Sequence, residues 1–456
     1  MFEFTKIKSF FKKFISREVD MLNGSLWDKI ILFALPLSLT GVMQQLFNTA
    51  DVAVLGQFVG KNAIAAVGNN TALVGMLISL LMGLSLGANV VIAQFIGAKK
   101  LTRVRDSIRT AFFLSIIMGV GICAAAQILV NPIFELLAVP KEVAPMAEEY
   151  LRIYALGLPF ISVYNFEAAI FRSKGDTQTP LIALAAASLL NIVLNLIFVT
   201  QLNLGINGVA WATTISNAVS AAILFYALVR LRLDKTTIDK ACLKEIVRIG
   251  LPAGIQGMVF SLSNLLIQAA INTLGPDAMA ASAAAFTVEI NVFCLTMGFG
   301  QAATTFVSQN YGAGNLERCK QATWTALKIN VILMLILSAT ILYFDERLLR
   351  FFNEDEEVIR LGVIRLWYII APEIISVVME IVSGALRGYG ISLTPALITL
   401  VCVCGIRITW VFTVFAKIPT YASLMAVYGI SWFITMIFLL IAYRYYVKRI
   451  KVVEFN

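Results

Sequence analysis

The chain contains no histidine in 456 residues, and only 14% of its residues are charged. The first absence removes the usual zinc ligand, the commonest general base and the imidazole proton relay together, so membrane enzymes built on histidine are excluded. The second excludes a single water-soluble globule: with 59% hydrophobic residues there is too little polar surface to face water. No GxxxxGK[ST] run occurs, so the chain carries no phosphate-binding loop of its own for drawing energy from ATP. Cysteine is sparse, and Cys123, Cys242, Cys294, Cys319, Cys402 and Cys404 read as structural thiols rather than a disulfide framework. The N-terminus lacks the apolar core of a cleavable signal. It sets Ile7, Phe10, Phe11 and Phe14 at helical spacing against Lys6, Lys8, Lys12 and Lys13, the pattern of a basic amphipathic helix lying on a membrane surface.

What the chain does have is long apolar runs. Many reach about 20 residues, the length a helix needs to cross a hydrocarbon core about 30 Å thick. They are continuously apolar rather than alternating, which predicts helices and not a barrel. Polar breaks divide them into twelve spans, near 28–55, 62–94, 107–130, 149–171, 178–200, 206–229, 247–274, 279–309, 322–343, 361–386, 394–416 and 421–445. Pro36, Pro159, Pro252 and Pro372 fall inside spans and are placed to kink them.

The net charge of +9 follows topology rather than nucleic acid. Counted over alternate connections, 27 of the 36 basic residues lie on one side and 8 on the other, with Arg407 left inside a span. Both termini are therefore expected in the cytoplasm, and the acidic loops with Glu142, Glu148 and Glu149 and with Glu354 to Glu357 face outward.

Residues 34–230 repeat at 250–445 with an offset near 215. Ala34-Leu35-Pro36 meets Gly250-Leu251-Pro252, Asn48 meets Asn264, Met82-Gly83 meets Met297-Gly298, and Gln94 with Gly97-Ala98 meets Gln309 with Gly312-Ala313. The longest echo sets Arg172-x-x-Gly175-x-x-x-Thr179-Pro180 against Arg387-x-x-Gly390-x-x-x-Thr394-Pro395. Six spans per half is an even number, so the halves are parallel repeats, with a substrate path expected between them. The expected fold is an all-α integral membrane protein of twelve transmembrane helices in two homologous six-helix bundles. Its parts are an amphipathic segment 1–27, a first bundle 28–229, a basic linker 230–246, a second bundle 247–445 and a cytoplasmic tail 446–456. Arg172, Gly175, Arg387 and Gly390 suit turn or gating geometry between spans.

On these features the chain resembles the multidrug and toxic compound extrusion (MATE) family over nearly its whole length. The features are two six-span halves, Pro36 with Asp51 fifteen residues on, Gln94-x-x-Gly97-Ala98 with its echo at Gln309, and the doubled R-x-x-G-x-x-x-T-P loop. The resemblance implies a pair of bundles exporting cationic or amphipathic compounds by proton or sodium antiport. It also implies an ion-coupling aspartate in the first span, near polar residues of spans five and six; Asp51, Asn191, Asn195 and Thr213 fit. Some relatives carry an aspartate where Asn195 stands, and another branch places a carboxylate in span seven, which this chain lacks between Leu251 and Leu274.

The physical reading agrees in pointing to buried acids. A charge at the bilayer centre costs roughly 2.5–3.5 kcal/mol on insertion scales, so an acid there marks function or a partner. A carboxyl held away from water either trades its charge for a proton or keeps it and holds sodium through oxygen ligands. Asp51, Glu167, Glu289, Glu373 and Glu380 are the candidates. Glu289 and Arg407 suggest an opposite-charge pair in the second bundle, Glu373 a wall of the substrate cavity, and Glu167 and Glu380 snorkelling or pairing with Arg172 and Arg387. No cofactor is expected beyond a coupling H+ or Na+, with Asp51 the place for any sodium. The expected partners are small organic substrates and membrane lipids, not nucleic acid, for a monomer in a bacterial cell membrane. The competing reading is a lipid-linked precursor flippase of the same superfamily, whose members commonly carry two further spans and a more basic cavity.

Overall fold

A computed structural model describes residues 18–136, 143–229 and 238–451. The amphipathic segment around Phe10, the loop at Glu142 and much of the basic linker lie outside the described residues. Among the described residues twelve helices are long and apolar enough to cross a membrane. In chain order they are α1 (Leu26–Phe58), α2 (Lys61–Gly97), α3 (Leu101–Leu136), α4 (Ala144–Ser173), α5 (Gln178–Leu196), α6 (Gly205–Val229), α7 (Lys240–Asn272), α8 (Pro276–Gly312) and α9 (Leu316–Tyr343), followed by a short α10 (Asp345–Arg350). The tenth crossing is made of α11 (Glu356–Ile370) and α12 (Glu373–Gly388), the eleventh of α13 (Leu393–Thr399) and α14 (Ile406–Trp410), and the last is α15 (Tyr421–Val447). Pro36, Pro159 and Pro252 lie within continuous helices, whereas Pro372 interrupts its span between α11 and α12. The 37 residues of α2 and of α8 extend about 55 Å at 1.5 Å per residue, so their ends reach well beyond the hydrocarbon.

Lipid withholds hydrogen bonds from any exposed backbone, so each helix end must find its own partners. The doubled loop does this twice in one way. After α4, the Gly175 N–H donates to the Arg172 carbonyl (2.9 Å) and the Asp176 N–H to Phe171 (3.0 Å); after α12, Gly390 donates to Arg387 (2.8 Å) and Ile391 to Leu386 (2.9 Å). Both glycines are left-handed, φ 95° and 82°, as this helix stop requires. Asp176 then accepts from the N–H groups of Gln178 (3.0 Å) and Thr179 (2.9 Å) and caps α5. The ends of α2 and α8 echo each other too, but there the left-handed position is Lys99 (φ 56°) in the first repeat and Gly314 (φ 75°) in the second.

The twelve helices sort into two compact units whose membership departs from the boundaries 28–229 and 247–445. Val42–Gly254 belongs to the first unit, and Asp20–Gly41 joins Ile255 onward in the second. The first helix of each repeat is thus divided near its proline, its opening turns packing with the other repeat. Small residues permit this. In the first unit Gly83 and Gly87 of α2 meet Gly254 and Gly250 of α7, and a Cβ on Gly83 or Gly87 would run into the α7 backbone. In the second unit Gly298 of α8, the counterpart of Gly83, faces Ser38 of α1 just as closely. Small-xxx-small surfaces of this kind let helix backbones approach where lipid gives no hydrophobic drive to association.

This local geometry is testable by melting temperature in detergent. Lys99→Gly removes a left-handed side chain at a position where the second repeat already has glycine, and raises stability by about 1 kcal/mol, read as a higher melting temperature. Gly87→Leu lowers that temperature sharply, by an overpacking cost of about 1–3 kcal/mol or more, while Gly121→Leu, with open space around its Cβ position, leaves it unchanged.

Candidate functional site

In the first unit α1, α5 and α6 bring together every residue expected to form the ion site. Asp51 enters from α1, Asn191 and Asn195 stand one turn apart on a single face of α5, and Thr213 enters from α6. All four are buried. The Asn195 amide spends both its hydrogens, one on Asp51 Oδ1 (2.6 Å) and one on Asn191 Oδ1 (3.0 Å). The Thr213 hydroxyl donates to Asp51 Oδ2 (3.0 Å) and accepts from Asn191 Nδ2 (3.3 Å). Each carboxylate oxygen therefore accepts from a neutral donor, and no cation pairs with it among the described residues. One acceptor, Asn195 Oδ1, is buried without a partner. Tyr150 and Tyr154 of α4, which carry no signal in the sequence to mark them out, are stacked on each other and near enough to feel the Asp51 charge. Beyond Asn195 the helix widens into a π-helical turn, Ile197–Gln201, a distortion that often accompanies functional sites.

The second unit overturns one expectation. Glu289 of α8 pairs with Arg365 of α11, not with Arg407: Arg365 Nε donates to Oε1 (2.7 Å) and Nη2 to Oε2 (2.9 Å), a bidentate fork with both side chains buried. The reason is packing. α8 lies along α11, whereas α14 lies against α15. Arg365 escapes a sequence reading because it falls near the N-terminal end of its span, where a basic residue reads as loop charge. Tyr421 of α15 lies near enough to Arg365 to feel its charge and shares a 2.6 Å contact with Ser282. Removing one member of such a pair leaves the other charge buried and unsatisfied. Arg365→Met therefore destabilises by about 3–5 kcal/mol, while the double variant Glu289→Met/Arg365→Met recovers most of the loss, read as melting temperature in detergent.

The remaining candidates separate. Glu373, in the first turn of α12, is buried and leaves Oε1 without a hydrogen-bond partner. Glu167 does not snorkel or pair with Arg172: it is fully buried with neither carboxylate oxygen hydrogen-bonded, while Arg172 Nε donates to the Ala168 carbonyl (3.0 Å). Arg387 turns its Nη2 to Gln256 (2.9 Å) rather than forming an ion pair with Glu380. Gly175 and Gly390 serve the helix stops described above. Arg407 of α14 is fully buried; its Nη1 donates to Asn264 (2.8 Å) and its guanidinium lies over the rings of Tyr428 (4.3 Å) and Phe260 (5.2 Å). Among the described residues no group of three or more His, Cys, Asp or Glu is placed to hold a metal ion.

Twelve apolar helices of membrane-spanning length among the described residues, in two repeats with ionisable groups buried among them, are the architecture of a polytopic membrane transporter. The MatE family model matches the chain twice, over residues 36–197 and 252–413, and the chain belongs to that family. The two matches differ by 216 residues at both ends, which is the repeat. The chain is 30% identical over 416 residues to the probable multidrug resistance protein NorM of Thermotoga maritima, covering 89% of this chain and 88% of the relative. It is 28% identical over 406 residues to the probable multidrug resistance protein YoeA of Bacillus subtilis (85% and 87%), and 25% identical over 350 residues to an FAD transporter of Shewanella oneidensis (74% and 77%). The fold is that of a crystal structure of MATE in the bent conformation, with a TM-score of 0.87 at 23% identity over 95% of this chain and 98% of the other. This is a multi-pass membrane protein that moves compounds across the bilayer.

Proposed function

We propose that the chain is a secondary antiporter, exporting cationic or amphipathic organic compounds in exchange for H+ or Na+, with Asp51 as the coupling group. The observation that carries this reading is a single buried carboxylate held only by neutral donors. One negative charge in a low-dielectric setting is balanced by one monovalent cation, and the site supplies no second acid for a divalent one. Sodium would find oxygens at Asp51, Thr213 and the unpartnered Asn195 Oδ1. A proton would need less. It turns one Asp51 oxygen from acceptor into donor, and rotation of the Asn195 amide would present Oδ1 to receive it. Either ion changes the bonds tying α1 to α5 and α6, and that change is what couples loading to helix movement. The names of the multidrug relatives support organic cargo, and the clustering of basic residues on alternate connections supports cytoplasmic termini in a bacterial cell membrane.

Asp51→Asn keeps the side chain's size and removes the titratable charge. In proteoliposomes the variant loses gradient-driven efflux of a fluorescent organic cation while its melting temperature and insertion stay close to wild type. Proton and sodium gradients imposed separately identify the coupling ion. Wild-type flux in the variant overturns the assignment.

A further inference from the structure

The repeat carries the Asp51 site into the second unit with its chemistry inverted. At the 216-residue offset Asn191 becomes Arg407, at 215 Thr213 becomes Tyr428, and Asp51 becomes Leu266 or Ile267. The backbone distortion is carried over as well, since the π-helical turn after Asn195 has its counterpart in Val411–Phe415, and a second such turn, Leu400–Gly405, precedes Arg407. Where the first unit gathers donors around an acid, the second unit holds a cation that pairs with no acid among the described residues.

The hydrogen bonds of Arg407 show what it is prepared to meet. Only Nη1 is engaged, by Asn264 Oδ1; Nε and Nη2 are buried and have no partner. Those two atoms form the edge of a guanidinium that grips a carboxylate in parallel. Arg365 uses this same edge, Nε and Nη2, on Glu289. Glu289 is thereby spent, and Glu373 does not pair with Arg407. The rings of Tyr428 and Phe260 cover the guanidinium and attract its charge, but they accept no hydrogen from Nε or Nη2. An apolar groove of about 410 Å³ is lined by Ser263 and Leu265, the chain neighbours of Asn264, and by Cys404 and Ile408, the second of which follows Arg407 in the chain.

We propose that Arg407 is a receptor for one oxyanion, a carboxylate or phosphate carried on an apolar or aromatic body, bound at the Nε–Nη2 edge. Arg407 is fully buried, so binding requires the side chains over it to move, Tyr428 among them. The role goes beyond cation-coupled export, and it stands whether or not Asp51 couples an ion. It adds an acidic or zwitterionic class to the ligands the chain accepts.

Equilibrium binding to the purified full chain in phosphatidylcholine nanodiscs tests it without transport. The probes are 1-naphthoate, 1-naphthyl phosphate and the neutral 1-naphthamide, followed by naphthyl fluorescence. Wild type binds at least one of the two anions about 10-fold or more tighter than the amide. Arg407→Gln abolishes that preference, Arg407→Lys, which keeps the charge without the fork, retains only part of it, and Gly121→Leu, at a position with open space around it, leaves it intact. If phosphatidate added to the nanodiscs displaces the bound anion, the oxyanion source is a lipid headgroup; if it does not, the source is a soluble ligand. Equal binding of anions and amide by wild type, or a preference that survives in Arg407→Gln, overturns the proposal. Should Arg407→Gln fail to fold, the wild-type comparison and Arg407→Lys decide.

Discussion

The absence of water from the hydrocarbon core governs this molecule more than any single contact. It forces every backbone polar group to find a partner in the chain, which leaves helices as the spanning elements and demands closed ends between them. It also removes the hydrophobic drive that packs helices in water, so backbones must touch closely to gain from dispersion. The glycine pairs joining α2 to α7, and the Gly298–Ser38 contact joining α8 to α1, answer that demand at corresponding places in the two units. The first helix of each repeat is divided between units around those contacts.

The same constraint sorts the ionisable groups. A buried charge must be paired with an opposite charge or held by neutral dipoles at a cost, and this chain contains both cases. Glu289 and Arg365 satisfy each other as a buried bidentate pair. Asp51 is held by two neutral donors and has a buried oxygen beside it with nothing to bond. Arg407 is held by one amide and two rings. The last two are incompletely compensated, and they occupy related places in the repeat. Incomplete compensation in corresponding clusters of the two repeats is what a fold offers when duplication preserves the scaffold and lets the chemistry diverge.

Most of the architecture was legible in the sequence because the signals are long. Apolar runs of membrane-spanning length, an alternating distribution of Lys and Arg and a doubled R-x-x-G-x-x-x-T-P survive uncertainty about any one position. The Asp51 cluster was legible for a different reason: Asn191 and Asn195 stand four apart on one helix face, and a family resemblance named the helices that meet. Side-chain pairing across helices was not legible. Choosing Arg407 rather than Arg365 for Glu289 needed the rotation and neighbour order of α8, α11 and α14, which hydropathy does not encode. The break at Pro372 and the π-helical turns were equally hidden, since each changes the backbone without changing composition.

Lys99 and Gly314 show how far the duplication has drifted without function being involved. The two helix stops share their bonding pattern, yet one repeat meets the left-handed position with a lysine and bears the strain. A strained turn persists because the surrounding helices over-determine it. The substitution of Asn191 by Arg407 is of another order, since a guanidinium cannot be sheltered by tolerance alone: its five donors need acceptors, and the protein supplies one. Strain in a turn needs no ligand to explain it. An unpartnered donor edge buried at the repeat counterpart of the acid site does, and that difference separates drift from a second binding chemistry.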